Sequence, residues 1–273
     1  MTPRRPADDA ELLFWLRNMA WYHRYTEAEM VAATGLSAEE IRAACARGGI
    51  DPTHRPPREP GAPLLLLPYP GGRHPRLGFR EGALDPQRDT KFSLFTPWDE
   101  ASYVVVDLPE AIFCNLGLIY LAHTHLPTLW SERGIALPPV EWDRSLPHVL
   151  ASQRTLPNGI AFGAHAVASE RSVKMELWLH NGTDTPLRQL RAQVCVLLGR
   201  ARGFDAQTNE NKRLEPPRAI CLGLGARRIV TEWQPLHRVW ANPACPCLHA
   251  DPRLPDCPPG ETVRATGWLE FAE

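Results

Sequence analysis

Ser172-Val-Lys-Met-Glu-Leu-Trp-Leu-His180, followed by Asn181-Gly182, is the stretch that decides the fold class. Val173, Met175, Leu177 and Leu179 alternate with Lys174, Glu176, Trp178 and His180. One face is therefore apolar and the other polar, which is the period of a half-buried β-strand. Asn-Gly is a strong turn signal after such a run. Similar runs recur on both sides, at Lys91–Phe95, Tyr103–Leu108, Ile119–His125, Gly159–Val167, Leu190–Leu198, Arg218–Leu222, Arg228–Trp233 and Thr262–Phe271. Pro258-Pro-Gly-Glu261 turns the chain into the last of them. Pro109–Leu118 reads as a short helix between two strands. Many strands without regular alternation with helices predict a mainly-β fold, a large antiparallel β-sandwich.

The N-terminal part has a different period. Glu11–Tyr22 places apolar groups at helical spacing. Thr26 and Ser37 each precede a helix and have a glutamate three residues on, Glu29 and Glu40, the pattern of a capping box. Gly35 ends the first of these helices. Met30–Ile41 resembles a helix-turn-helix. The predicted organisation is a helix-turn-helix-like segment over 1–50, a proline-rich linker over 51–76 and a β-sandwich domain over 77–273. Leu64–Leu67 in the linker suits a short strand or a strap against the main domain.

The 273 residues carry a formal net charge of −1, so no global field draws the protein to nucleic acid or to an anionic membrane. In the helical segment acidic side chains outnumber basic ones, and the second helix of the turn opens with Glu39-Glu40. A DNA reader presents basic and amide groups there, so DNA is a possible but not the favoured partner. No apolar run has the roughly 18 residues needed for a membrane span, and no secretory signal is visible. The expected compartment is the cytoplasm. The seven cysteines are then expected as thiols or ligands, since an odd number cannot pair fully.

Chemistry concentrates in a few places. Trp240-Ala-Asn-Pro-Ala-Cys-Pro-Cys-Leu-His249 reads as a proline-rich loop. With Cys257, it offers Cys245, Cys247 and His249 as soft ligands for zinc or copper. A packed thiol loop is the alternative. His123 and His125, two apart at a strand end, can reach one point. They are metal candidates themselves, either apart from the loop or together with it. His123, His125, Glu176 and His237 are the candidate acid–base residues, and Glu232 is a further carboxylate in a strand. Trp98, Asn209, Asn211, Lys212 and Trp240 are the candidate substrate contacts, because amides suit hydroxyl groups and indole faces suit sugar rings.

Val-Lys-Met-Glu-Leu-Trp-Leu-His-Asn-Gly-Thr183 followed by a closing Pro-Gly-Glu-Thr262 strand resembles the β-supersandwich of galactose-mutarotase-like domains. Residues 76–273 also resemble an uncharacterised bacterial family, through His74-Pro-Arg-Leu-Gly-Phe79, Phe95-Thr-Pro-Trp98, Leu121-Ala-His-Thr-His125, Gln207–Lys212 and Cys245–Pro252. The resemblance implies the fold. Mutarotase-like enzymes use a His–Glu pair, whose histidine His123 or His125 would replace here. The expected function is therefore a carbohydrate-related protein, a sugar-active enzyme of epimerase, lyase or hydrolase type with a His/Glu/Cys cleft that holds a metal. The alternatives are a ligand-sensing DNA-binding regulator and a non-catalytic metal-binding protein.

Overall fold

The computed structural model describes residues 3–74, 88–123 and 125–273. Residues 75–79 of the His74 string, the end of the linker, the start of the sandwich domain and Thr124 lie outside the described residues. Two antiparallel sheets of seven strands pack face to face. The first contains β1 (Leu66–Pro68), β2 (Lys91–Phe95), β3 (Tyr103–Cys114), β4 (Gly117–Leu121), β8 (Arg191–Leu197), β12 (Leu236–Trp240) and β13 (Cys247–Pro252). The second contains β5 (Val149–Thr155), β6 (Ala161–Ala168), β7 (Ser172–His180), β9 (Lys212–Glu215), β10 (Arg218–Leu222), β11 (Arg228–Gln234) and β14 (Thr262–Ala272). The order across the first sheet is β1-β2-β3-β8-β13-β12, with β4 also on β3. Across the second it is β5-β6-β7-β14-β11-β10-β9.

Alternation sets which side chains fill the space between the sheets. Val173, Met175, Leu177 and Leu179 of β7 meet Val104, Val106, Val194, Val196 and Leu248 of the first sheet in one apolar cluster. Burial of this area is the main driving force for the fold. The second sheet turns its other, polar face to solvent, as an antiparallel sheet with one covered face does. The middle of the first sheet is covered on both faces. Its strands β2 and β13 are buried at every position.

The outer cover comes from the N-terminal segment. Helix α1 (Asp9–Arg17) runs into a π-helical turn (Asn18–Tyr22), then α2 (Glu27–Thr34) and α3 (Ala38–Arg47). Both capping boxes are formed, at Thr26/Glu29 and at Ser37/Glu40. The helices share a small core of their own around Trp15, Leu16, Met19, Met30 and Ile41. They are fastened to the sheet by buried polar contacts. His23 Nε2 meets Ser93 Oγ at 2.7 Å, and Asn18 donates to the Pro68 carbonyl at 2.9 Å. The His23 ring packs edge-on against Phe95 and Tyr103, at 5.1 and 4.8 Å. Gly72, at φ +72°, lies so close to α2 that a Cβ there would be 2.5 Å from the Glu29 carbonyl.

Four sequence expectations change. Pro109–Leu118 is not helical: β3 continues to Cys114 and turns through Asn115-Leu116 into β4. The stretch read as a proline-rich loop contains β13, which lies inside the first sheet between β8 and β12. A fully buried strand has no polar face, so the period-two signal is missing. Lys212, placed in a polar loop, begins β9, and β5 and β12 are further strands that the sequence reading left as connections.

Candidate metal centre

One register row crosses five adjacent strands of the first sheet. Lys91 of β2 faces Asp107 of β3, Asp107 faces Cys195 of β8, Cys195 faces His249 of β13, and His249 faces Trp240 of β12. Directly opposed residues point to the same side of a sheet. The row therefore gathers an ammonium, a carboxylate, a thiol and an imidazole on the outer face. Cys247 is two residues before His249 and so shares this face. It packs with Cys195, Cys245, Val105 and Tyr103 in an apolar cluster separate from the main core.

The chain irregularity next to the row supplies a second carboxylate. From Asp107 to Ala111, four steps along β3 are matched by two along β8, from Cys195 to Gln193. Residues three apart on a regular strand face opposite ways. The irregularity re-aims Glu110, as bulges near functional sites do. Both carboxylates then meet His123, which follows β4. His123 Nε2 lies 3.3 Å from Asp107 Oδ2 and 3.3 Å from Glu110 Oε1. Lys91 Nζ is 2.6 Å from Asp107 Oδ1, and Gln193 Nε2 donates to Glu110 Oε2 at 2.8 Å.

Two groups of ligand atoms result, each with its members within 4.8 Å of one another: Cys195, Cys247 and His249, and Asp107, Glu110 and His123. All six residues are buried. The neighbours hold the first group in place. Trp240 stacks on the His249 ring at 3.8 Å and 15° between planes. Asp251 accepts from Trp240 Nε1 at 2.8 Å, from Arg238 Nε at 2.9 Å and from the Val194 amide at 3.1 Å. Its other contact, 3.7 Å to His249 Nδ1, is electrostatic and too long for a hydrogen bond. The buried His249 Nδ1 has no hydrogen-bond partner.

Charge follows from these contacts. The neighbouring Cys195 and Cys245 sulfurs, and then His249, hold the Cys247 thiol far below the ordinary thiol range against the effect of burial. Burial alone would lower the His249 value; Asp251 and the Cys247 sulfur outweigh it and push it up to about 10. Both shifts favour charge on the pair, negative on Cys247 and positive on His249. Burial also opposes ionisation of Asp107, but Lys91 and His123 hold its carboxyl below the usual range. Zinc needs deprotonated thiols, and this environment favours one.

The other candidates from the sequence fall elsewhere. His125 is exposed, with its ring centroid 6.0 Å from that of His123. Cys257 belongs to the core between the sheets, where its backbone pairs with Leu187, and is not part of the Cys247 group. Glu176 lies on the outer face of the second sheet, paired with Arg264, and Glu232 pairs with Arg218 at 3.0 Å on that sheet. The sandwich therefore separates Glu176 from His123. His237 is exposed and lines a small cavity of about 140 Å³ with Arg191, Gln193, Arg238 and Asp251. Trp98 stacks on Phe204, with 5.8 Å between centroids. Lys212 hydrogen-bonds within its own segment, to Thr208 O and Asn211 Oδ1, while Asn211 donates to Leu222 O of β10 at 3.4 Å and Asn209 to Ala241 O at 3.5 Å. Asp107, Glu110 and Cys195 were not singled out from the sequence. The available signal was a charged or thiol residue inside an otherwise apolar strand run.

No family model matches the chain, and no curated protein sequence matches it. Among solved structures, it is similar to the Slr1438 protein from Synechocystis sp. PCC 6803, with a TM-score of 0.39 and 11% identity over 71% of this chain and 99% of that one. It is also similar to a heparinase III, the BT4657 gene product, with a TM-score of 0.33 and 8% identity; the whole chain spans 43% of that protein. Neither likeness bears on the chemistry of the site.

Proposed function

We propose that the protein binds zinc through Cys195, Cys247 and His249, on the outer face of the first sheet and beside the N-terminal helical cover. The observation that carries this reading is the convergence of two thiol sulfurs and an imidazole nitrogen within 4.8 Å. Two sulfurs at the zinc bond length of about 2.3 Å and a tetrahedral angle stand about 3.8 Å apart, so a small closure completes the site. Cys245 packs against the same thiols and is the nearest candidate for a fourth ligand. Two or three sulfurs with one imidazole favour zinc over the His-rich sets of oxidised copper. A zinc–thiolate centre also fits a reducing compartment such as the cytoplasm. None of the seven cysteines forms a disulfide. Metal analysis of the purified protein is expected to find one zinc per chain, lost in Cys247→Ser. Zinc retained at full stoichiometry in that variant would contradict the assignment.

A catalytic role is supported by the carboxylate–imidazole group next to this site. With Cys195, Cys247 and His249 as its only protein ligands, a zinc keeps a position for water, and Glu110 and His123, 3.3 Å apart, lie beside Asp107 of the same register row. The corresponding reaction class is metal-assisted hydrolysis or elimination, with carbohydrate as the substrate class that the sequence favours. Hydrolysis or elimination assays on polysaccharides with zinc-loaded protein, and with Glu110→Gln as control, test this role. The N-terminal helices are proposed as a cover and not a DNA reader. Arg42 of α3 is paired with Glu27 at 2.8 Å, and Arg47 lies 3.7 Å from Asp9.

A further inference from the structure

We infer that Asp107, Glu110 and His123 form a second cation site, for a hard divalent ion such as manganese, immediately beside the thiolate group. Two carboxylates and an imidazole suit such ions, whereas two thiols and an imidazole suit zinc. The two sites therefore differ in the ion they select. The ligand atoms lie within 4.8 Å of one another on fully covered side chains.

A second observation points to an ion. Asp107 is completely buried, yet neither of its carboxylate oxygens has a hydrogen-bond partner. Its contacts are the ion pairs with Lys91 at 2.6 Å and with His123 at 3.3 Å. Buried carboxylates are normally hydrogen-bonded, and one that is not calls for an explanation. Oδ2 of Asp107 and Oε1 of Glu110 converge on the same ring nitrogen from 3.3 Å. The two carboxylate oxygens and the ring nitrogen thus face one point that a divalent cation can occupy. Lys91 remains on Oδ1 and compensates part of the charge. Gln193 holds the far oxygen of Glu110, the kind of outer contact that orients a ligand. The register break between Asp107 and Ala111 gives the site its second carboxylate.

The test uses full-length protein stripped with a chelator and titrated with manganese alone, with bound ion followed by electron paramagnetic resonance. One manganese per chain is expected, with nitrogen hyperfine coupling from one imidazole. Glu110→Gln is expected to weaken binding at least about tenfold, and Cys247→Ser to leave it unchanged. No manganese bound by the wild type, or binding without nitrogen coupling, would overturn the site, and this measurement does not depend on how any variant folds. Equal affinity in a folded Glu110→Gln protein would overturn it too. The zinc reading fails separately: wild-type protein that takes manganese through Glu110 but shows no thiolate–metal absorption retains the second site without the first.

Discussion

Cys195 and His249 face each other directly across the β8–β13 pair, although 53 positions of sequence lie between them. Antiparallel register alone puts a thiol and an imidazole side by side, and Cys247 joins them from two residues away. The rigid middle of a sheet, and not a loop, thus carries the candidate ligands. Sites on such elements hold geometry better than sites on loops.

Trp240 should control how firmly the metal is held. Its indole covers one face of His249 and donates to Asp251. Trp240→Ala removes both interactions at the sheet edge. Transfer of zinc to a chromogenic chelator is expected to accelerate about tenfold or more, with Trp240→Phe intermediate because it keeps a stacking ring. Equal transfer rates in all three proteins would show that the stack plays no part.

His23 ties stability to pH. Burial lowers its value from 6.5 to about 3, so the folded protein keeps the ring neutral where the unfolded chain takes up a proton. Its contribution is fully present above pH 6.5 and is lost as the pH falls toward 3. The expected slope approaches about 1.4 kcal/mol per pH unit in that window. Denaturant melts of wild type and His23→Asn, compared between pH 6.5 and 4, should show a smaller loss in the variant. Parallel curves would contradict the assignment.

Gly72 and Gly61 both have positive φ, but their surroundings differ. A Cβ on Gly72 would strike the backbone of α2, whereas one on Gly61 would meet nothing within 4 Å. Gly61→Ala is expected to cost about 1 kcal/mol, the conformational term alone. Gly72→Ala adds a backbone clash and is expected to cost at least about 2 kcal/mol. Equilibrium urea unfolding separates the two cases.

Arg42 pairs with Glu27 on the protein surface. Surface pairs contribute little, so Arg42→Ala should change stability by less than about 1 kcal/mol. If α3 is a cover and not a DNA reader, the same variant should leave any weak duplex binding unchanged in a fluorescence titration. A large loss of duplex affinity would restore the regulator alternative.

The alternating strand Ser172–His180 and the two capping boxes were readable because each is a local pattern. The centre was legible in part. Cys245, Cys247, His249 and His123 stood out by residue type, but Asp107 and Cys195 are embedded in the apolar runs of β3 and β8. Glu110 was assigned to a helix, because a strand irregularity cannot be told from a helical turn by composition. Cys257 and His125 were added by proximity along the chain. Cys257 belongs to the opposite face of the sheet system, and His125 lies four residues beyond the end of β4. Register and facing are set by pairing between distant strands, and no local pattern encodes them.

X-ray absorption at the zinc edge of reconstituted protein tests the central assignment most directly. At least two sulfur neighbours at about 2.3 Å, with nitrogen at about 2.0–2.1 Å, are predicted. A shell of oxygen and nitrogen without sulfur would contradict it.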